Sequence, residues 1–258
     1  MADEADAGRY GQAWADIYDD WFGDLDDTGP AVEVLAELAA GGPALEIGPG
    51  TGRLTIPLAE RGIEVTAVES SARMAERLTG KLTGQRISVV VADAATIDLG
   101  PHAPPGGFAL AYLSCNTLFQ LTEQEAQLNC VRAIGRVLAP SGSLVVEASA
   151  PHCALLAAGN KNDVRTYEDG SVAITTTRAD VATQRLDTTV VLLARGHRRV
   201  LPVPERFIWP AELDLMARLA GLSRAHRWSG WERGPFGATS TGHVSVYARD
   251  RRGDWERE

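Results

Sequence analysis

From Pro43 onward the apolar residues come in short unbroken runs, each followed by a turn and then by a stretch of helical periodicity. Strands of a parallel sheet read this way because helices cover both of its faces. The runs Pro43–Gly48, Glu64–Glu69, Ile87–Asp93, Phe108–Leu113 and Ser143–Ser149 therefore predict five parallel strands. Helices are expected at about Gly52–Arg61, Ser71–Leu82 and Glu123–Leu138. The last of these carries Leu128, Val131, Ile134, Val137 and Leu138 on one stripe and is closed by Pro140-Ser141-Gly142. Between Pro151 and Pro204 the pattern changes to alternation, and Ser171–Arg178 and Leu186–Ala194, rich in Val and Thr, predict an antiparallel insertion. A helix at Glu212–Ala220 and strands at Leu222–Trp228 and His243–Ala248 return to the main sheet. Two helical stretches, Ala13–Phe22 and Pro30–Ala39, precede the first strand. The expected division is a helical N-terminal segment (1–42), an α/β core (43–150), the insertion (151–205) and a C-terminal helix with the last two strands (206–258).

Composition narrows the function. The chain has 258 residues, 45% of them hydrophobic and 23% charged, which excludes wholesale disorder. A net charge of −9 opposes a sequence-independent attraction to nucleic acid, so none is expected as a partner. No apolar run approaches the ~20 residues of a membrane helix, and Met1–Tyr10 is acidic where a signal peptide would be basic, so a cytoplasmic protein without membrane contact is expected. Cys115, Cys130 and Cys153 lack CxxC spacing and the five histidines are scattered, so no metal site is expected.

The most informative stretch is Ala44-Leu45-Glu46-Ile47-Gly48-Pro49-Gly50-Thr51-Gly52-Arg53, a strand running into a Gly-rich turn and a helix. Glycines let the backbone approach a ligand, and a helix start offers free N–H groups, so a nucleotide-like cofactor is implied; a plain turn is the alternative. The dinucleotide fingerprint GxGxxG fails in both registers, with Arg53 or Thr55 where the third glycine belongs, which counts against a nicotinamide-dependent oxidoreductase. Glu46 lies inside an apolar strand and needs a partner. A cationic ligand group would supply one, and S-adenosylmethionine carries both an ammonium and a sulfonium. Glu69 ends the second strand about 20 residues past the glycines, where a carboxylate accepts from ribose hydroxyls; a helix cap beside Ser70-Ser71 is the competing reading. Asp93 ends the third strand and suits an adenine amino group, or else caps the next turn. Met74 is placed to pack on the adenine or in the core.

In order and spacing, Glu46, Gly48, Gly50, Gly52, Glu69, Asp93-Ala94 and the helix-PSG-strand near 135–149 resemble the class I S-adenosylmethionine-dependent methyltransferases, over about residues 40–150. The remainder resembles a bacterial small-molecule branch of that family. The matching features are Tyr10 and Tyr18-Asp19 on a short N-terminal lid, Cys115-Asn116-Thr117-Leu118-Phe119 after the fourth strand, the β insertion, the stretch from Trp209 to Ala217, and His243–Tyr247. The resemblance implies a Rossmann-like seven-stranded sheet in the order 3-2-1-4-5-7-6 with strand 7 antiparallel. It also implies S-adenosyl-L-methionine as cofactor, with Tyr10, Tyr18, Pro49, Arg53, Ser70, Leu113 and Asn116 beside it in addition to the residues above.

Ligands of open α/β sheets bind beyond the carboxyl ends of the parallel strands, which brings Asn116, His152, the loop Ser229–Thr241 and His243 to one edge. Trp228, Trp231 and Phe236 flank that loop and suit a flat acceptor, or else pack in the core. Tyr10–Phe22, with Trp14 and Trp21, has too few neighbours in sequence for a core of its own and is expected to close as a lid. A base, if used, would be His152 or His243, with pKa near ~6.5, rather than His102, His197 or His226; positioning alone is the alternative. The expected activity is methyl transfer to an N or O atom of a small molecule in bacterial secondary metabolism; a cofactor-binding partner without turnover is the alternative. The insertion either shapes the acceptor pocket or pairs across a homodimer.

Overall fold

In the computed structural model, residues 8–22, 25–151, 153–167, 170–194 and 197–249 are described. Three helices open the chain: α1 (Arg9–Trp14), α2 (Tyr18–Phe22) and α3 (Thr28–Ala39). Then follow β1 (Ala44–Ile47), α4 (Thr55–Glu60), β2 (Val65–Glu69), α5 (Ala72–Gly80), β3 (Ile87–Val91), β4 (Phe108–Leu113), α6 (Gln124–Val137) and β5 (Leu138–Ser149). The insertion contributes α7 (Cys153–Ala158), β6 (Asn160–Thr166), β7 (Val172–Asp180), β8 (Arg185–Ala194) and β9 (His197–Arg206). The chain closes with α8 (Pro210–Leu219), β10 (Leu222–Trp228) and β11 (Gly242–Arg249).

The main sheet has the order β3-β2-β1-β4-β5-β11-β10, and β11 runs antiparallel to both of its neighbours, which is the expected Rossmann-like topology. Its central strands β1 and β4 are buried almost throughout because each residue finds a core on one face or the other. On β4, Ala111 and Leu113 join Val131, Ile134, Leu213 and Met216 of α6 and α8, whereas Leu110 and Tyr112 join Leu35 and Leu58 of α3 and α4. Local chemistry sets several boundaries. Ser71 caps α5 by accepting from the Met74 amide at 3.3 Å, and Pro210 starts α8 at a position where a missing N–H costs nothing. The expected turn at Pro140-Ser141-Gly142 lies inside β5, where the pairing with β4 shifts register between Phe108 and Leu110.

The insertion forms a separate antiparallel sheet in the order β6-β7-β8-β9. The alternating pattern predicts its two central strands, and both edges escape it. β6 is exposed along its whole length, so it has no apolar face to show. β9 contains Pro202 and Pro204, which an edge strand tolerates because an absent N–H can face away from the ladder. The N-terminal segment packs against the insertion. Trp14 and Ala15 share a core with Met74 of α5 and with Ala173, Val190, Leu192 and Leu201 of the second sheet. The N-terminal helices α1 and α2 have no core of their own and complete that of the insertion. No helix among the described residues is long and apolar enough to cross a membrane.

Candidate active site

The Gly-rich turn after β1 and the ends of β2, β3 and β4 surround a cavity roofed by α1 and α2. Gly48 sits at φ 70°, and a Cβ there would stand 2.5 Å from the Thr117 methyl group, so both conformation and space require glycine. Glu69 is anchored by two backbone donors: Gly50 N–H to Oε2 at 3.0 Å and Ser71 N–H to Oε1 at 2.9 Å. The Ser70 amide and hydroxyl also act on it. Burial raises the Glu69 pKa against these N–H groups, which pull it back. Asp93 caps its turn through the Ala95 amide at 2.9 Å and also lines the cavity. Tyr10, Tyr18, Gly48, Gly50, Glu69, Ser70, Met74, Asp93, Ala94 and Leu113 all lie on the wall of this cavity.

The roof is held down by charge and close contact. Asp19 of α2 accepts from Thr51 in the glycine turn and pairs with Lys81 at 2.8 Å, while Lys81 also donates to the Thr51 carbonyl at 3.0 Å. A Cβ on Gly11 would stand 2.5 Å from that of Ser71, so α1 lies directly on the start of α5. The Tyr10 and Tyr18 phenols are pushed up by burial and remain neutral donors.

Five expected cofactor residues are not on this wall. Glu46 needs no ligand cation: it is 2% exposed and accepts from the hydroxyls of Thr55 and, at 2.7 Å, of Tyr112. Neutral partners cannot hold its charge, and burial raises its pKa to about 7. Gly52 faces the Leu78 and Ile56 side chains. Arg53 turns to Asp27, Thr28 and Cys115 at 3.0, 3.0 and 2.9 Å, tying the glycine turn to α3 and to the loop after β4. Pro49 is also absent from the wall. Asn116 bonds both polar groups of Ser149 and lines two neighbouring cavities instead.

The second cavity is the roomier and lies between α1–α2 and the inner face of the insertion sheet. Tyr10, Phe22, Cys115 and Gln120 line both it and the first, so the two meet there. Cys115 and Asn116 hold consecutive left-handed backbones at φ 49° and 60°, a strain of order 1 kcal/mol each that accompanies Cys115 at this junction and Asn116 on the second and third cavities. The wall of the second cavity includes Trp14, Trp21 and Tyr167, the last two in ring contact at 5.3 Å. The indole N–H of Trp14 is buried and has no partner. Glu205 lies on this wall, its pKa raised to about 7 by burial and drawn down by the Asn116 amide. Nothing local marked it in the sequence, where the flanking prolines signal only an edge strand. His197, set aside from sequence, also lines this cavity.

A third cavity holds Asn116, Glu147, Trp231 and His243. His243 does not keep an ordinary imidazole pKa. Burial first, and then the Arg227 charge, lower it to about 4, while its Nδ1 lies 2.9 Å from Ser245 Oγ. It is neutral at physiological pH and a weaker base than expected. His152 lies outside the described residues. Trp231 packs in the core and lines this third cavity; Trp228 stacks on His226 at 5.3 Å, and Phe236 meets His243 edge-on at 5.8 Å.

Residues 44–142 match the family model described as a methyltransferase domain. The cypemycin N-terminal methyltransferase of Streptomyces is 32% identical over 187 residues, which is 70% of this chain and 73% of that protein. The solved structure of the CcbJ methyltransferase from Streptomyces caelestis is 37% identical and superposes with a TM-score of 0.87 over 96% of this chain and 99% of its own. A ribosomal RNA small subunit methyltransferase A from Anaeromyxobacter dehalogenans is 50% identical, over only 37% of this chain and 38% of its own.

Proposed function

Because the chain belongs to the class I S-adenosylmethionine-dependent methyltransferases of the bacterial small-molecule type, we propose that it methylates a nitrogen or oxygen atom of a small molecule in secondary metabolism. S-adenosylmethionine is its cofactor. The observation that carries the acceptor reading is the junction of the two cavities at Tyr10, Phe22, Cys115 and Gln120. One cavity has the strand-end carboxylates a nucleoside requires, and the other an aromatic wall suited to an acceptor body.

The residues present fit the cofactor. Glu69 stands at the end of β2 on the cavity wall for the ribose hydroxyls, Asp93 at the end of β3 for the adenine amino group, and Met74 and Leu113 offer apolar contact to its ring. When bound, S-adenosylmethionine supplies a methyl group already activated on a sulfonium, so in-line placement of the nucleophile, worth up to ~7–11 kcal/mol, supplies much of the catalysis. Residues 1–42 act as the lid through α1 and α2, and 151–205 supply the outer wall of the acceptor site. Two considerations favour a small acceptor, with nitrogen preferred. A relative is named for N-terminal methylation, and the likeness to the ribosomal RNA enzyme covers only 37% of the chain, which carries a net charge of −9. The test is transfer of labelled methyl from S-adenosylmethionine into a small-molecule library, with S-adenosylhomocysteine binding measured in parallel. Binding without label in any small molecule would refute this reading.

A further inference from the structure

The second cavity contains a carboxylate whose surroundings specify what it meets. Glu205 follows Pro204 on β9, and Pro204 lines the cofactor cavity while Glu205 lines the acceptor cavity, so the residue stands where the two adjoin. It is half-buried, and among the described residues it takes part in no salt bridge; the Asn116 amide is the one group that draws its pKa down. Among the described residues no cation contributes to its shift. α1 presents the Tyr10 phenol, whose own titration Glu205 raises, the loop after β4 presents Cys115 and Asn116, and β8 sets Leu186 opposite it. Asp20, Arg165, His197, Arg198 and Arg199 stand elsewhere on the same cavity without moving its titration. Removing a carboxylate from water without a cation is costly; Glu205 meets that cost by holding a proton near neutrality, and a cation beside it would favour its charged form.

We infer that Glu205 binds the ammonium group of an amine acceptor and takes its proton before the nitrogen attacks the methyl group. This rests on the methyl-transfer reading and adds the acceptor's chemical class to it. An aliphatic amine reaches the protein protonated and without a lone pair to attack with. Transfer of one proton to the Glu205 carboxylate leaves a neutral carboxylic acid and a free amine. The nitrogen lone pair then forms the N–C bond as the C–S bond breaks, the electron pair of that bond stays on sulfur, and the positive charge passes from sulfur to nitrogen. The proton on Glu205 leaves to water through the second cavity. A carboxyl raised to about 7 by burial accepts and releases a proton near neutrality, whereas one near ~4.3 would bind the ammonium but deprotonate it poorly.

The experiment uses the full chain with methyl-labelled S-adenosylmethionine and paired aryl-alkyl amines and their matching alcohols, compared between wild type, Glu205→Gln and Glu205→Asp. Label is expected in amines and not in alcohols, with a rate that rises through about pH 7. Glu205→Gln should lower transfer at pH 8 at least thirty-fold and flatten that rise, while S-adenosylhomocysteine affinity stays within two-fold, which also shows that the variant is folded. Glu205→Asp should restore part of the rate and the inflection. Label in alcohols, an unchanged rate and pH profile in Glu205→Gln, or no label in any panel member while S-adenosylhomocysteine binds would each overturn the amine assignment. Failure of the wild type to bind S-adenosylhomocysteine would instead overturn the methyl-transfer reading.

Discussion

The two adjoining cavities are built from different materials. The cofactor cavity is a backbone structure: a left-handed glycine, two amides locking the Glu69 carboxylate, and carboxylates at consecutive strand ends. The acceptor cavity is a side-chain structure, in which rings from α2 and from the loop after β6 face residues of β8 and β9. A backbone site changes little when surface side chains are replaced, whereas a side-chain site is respecified by single substitutions. Substitutions in the insertion should therefore alter the acceptor and leave the cofactor alone.

The largest effect tests the core beside the glycine turn. The folded Glu46 pKa of about 7 lies above the ordinary ~4.3, so the folded state binds the proton more tightly. The stability this contributes is full below the unfolded value and is lost as pH rises through about 7. Wild type should lose about 3 kcal/mol more than Glu46→Gln between pH 5 and pH 8. Urea melts at the two pH values check this, and parallel curves would show that Glu46 titrates normally.

Next in size is Glu69→Ala, which orphans the Gly50 and Ser71 amides and removes the ribose acceptor. S-adenosylhomocysteine affinity should fall about ten- to a hundred-fold by calorimetry. An unchanged affinity in a folded variant would move the nucleoside elsewhere. On the other side, Tyr167→Ala breaks the ring contact with Trp21 and should raise the acceptor KM about three- to ten-fold without affecting cofactor affinity. Equal losses in both would show that the two cavities do not act separately. The smallest effect is expected at His243. Its imidazole is already neutral between pH 6 and 9, so His243→Gln should keep the wild-type shape of the pH–rate profile over that range. Loss of an inflection there would reinstate it as a base.

How much of this was legible in the sequence follows from how far apart the interacting groups lie. β4 matches the expected Phe108–Leu113 because a strand buried on two faces carries its evidence in its own residues. The glycine turn, Glu69 and Asp93 were legible for the same reason: the backbone conformations and strand-end positions they occupy are set within a few residues. Edge strands β6 and β9 were not, since one lacks an apolar face and the other carries prolines that read as breaks. Nor were the partners of Glu46, one of which, Tyr112, lies on the neighbouring strand 66 residues away. The sequence alone determined the strands of the main sheet, because short-range periodicity and turn residues mark them, and it carried the family resemblance that implies their order. Only the tertiary structure decided that Glu46 is satisfied internally, that His243 is held neutral, that the N-terminal helices share a core with the insertion, and that Glu205, Asn116 and Tyr10 converge. Desolvation and long-range contact create those properties, and neither is written in any local stretch of the chain.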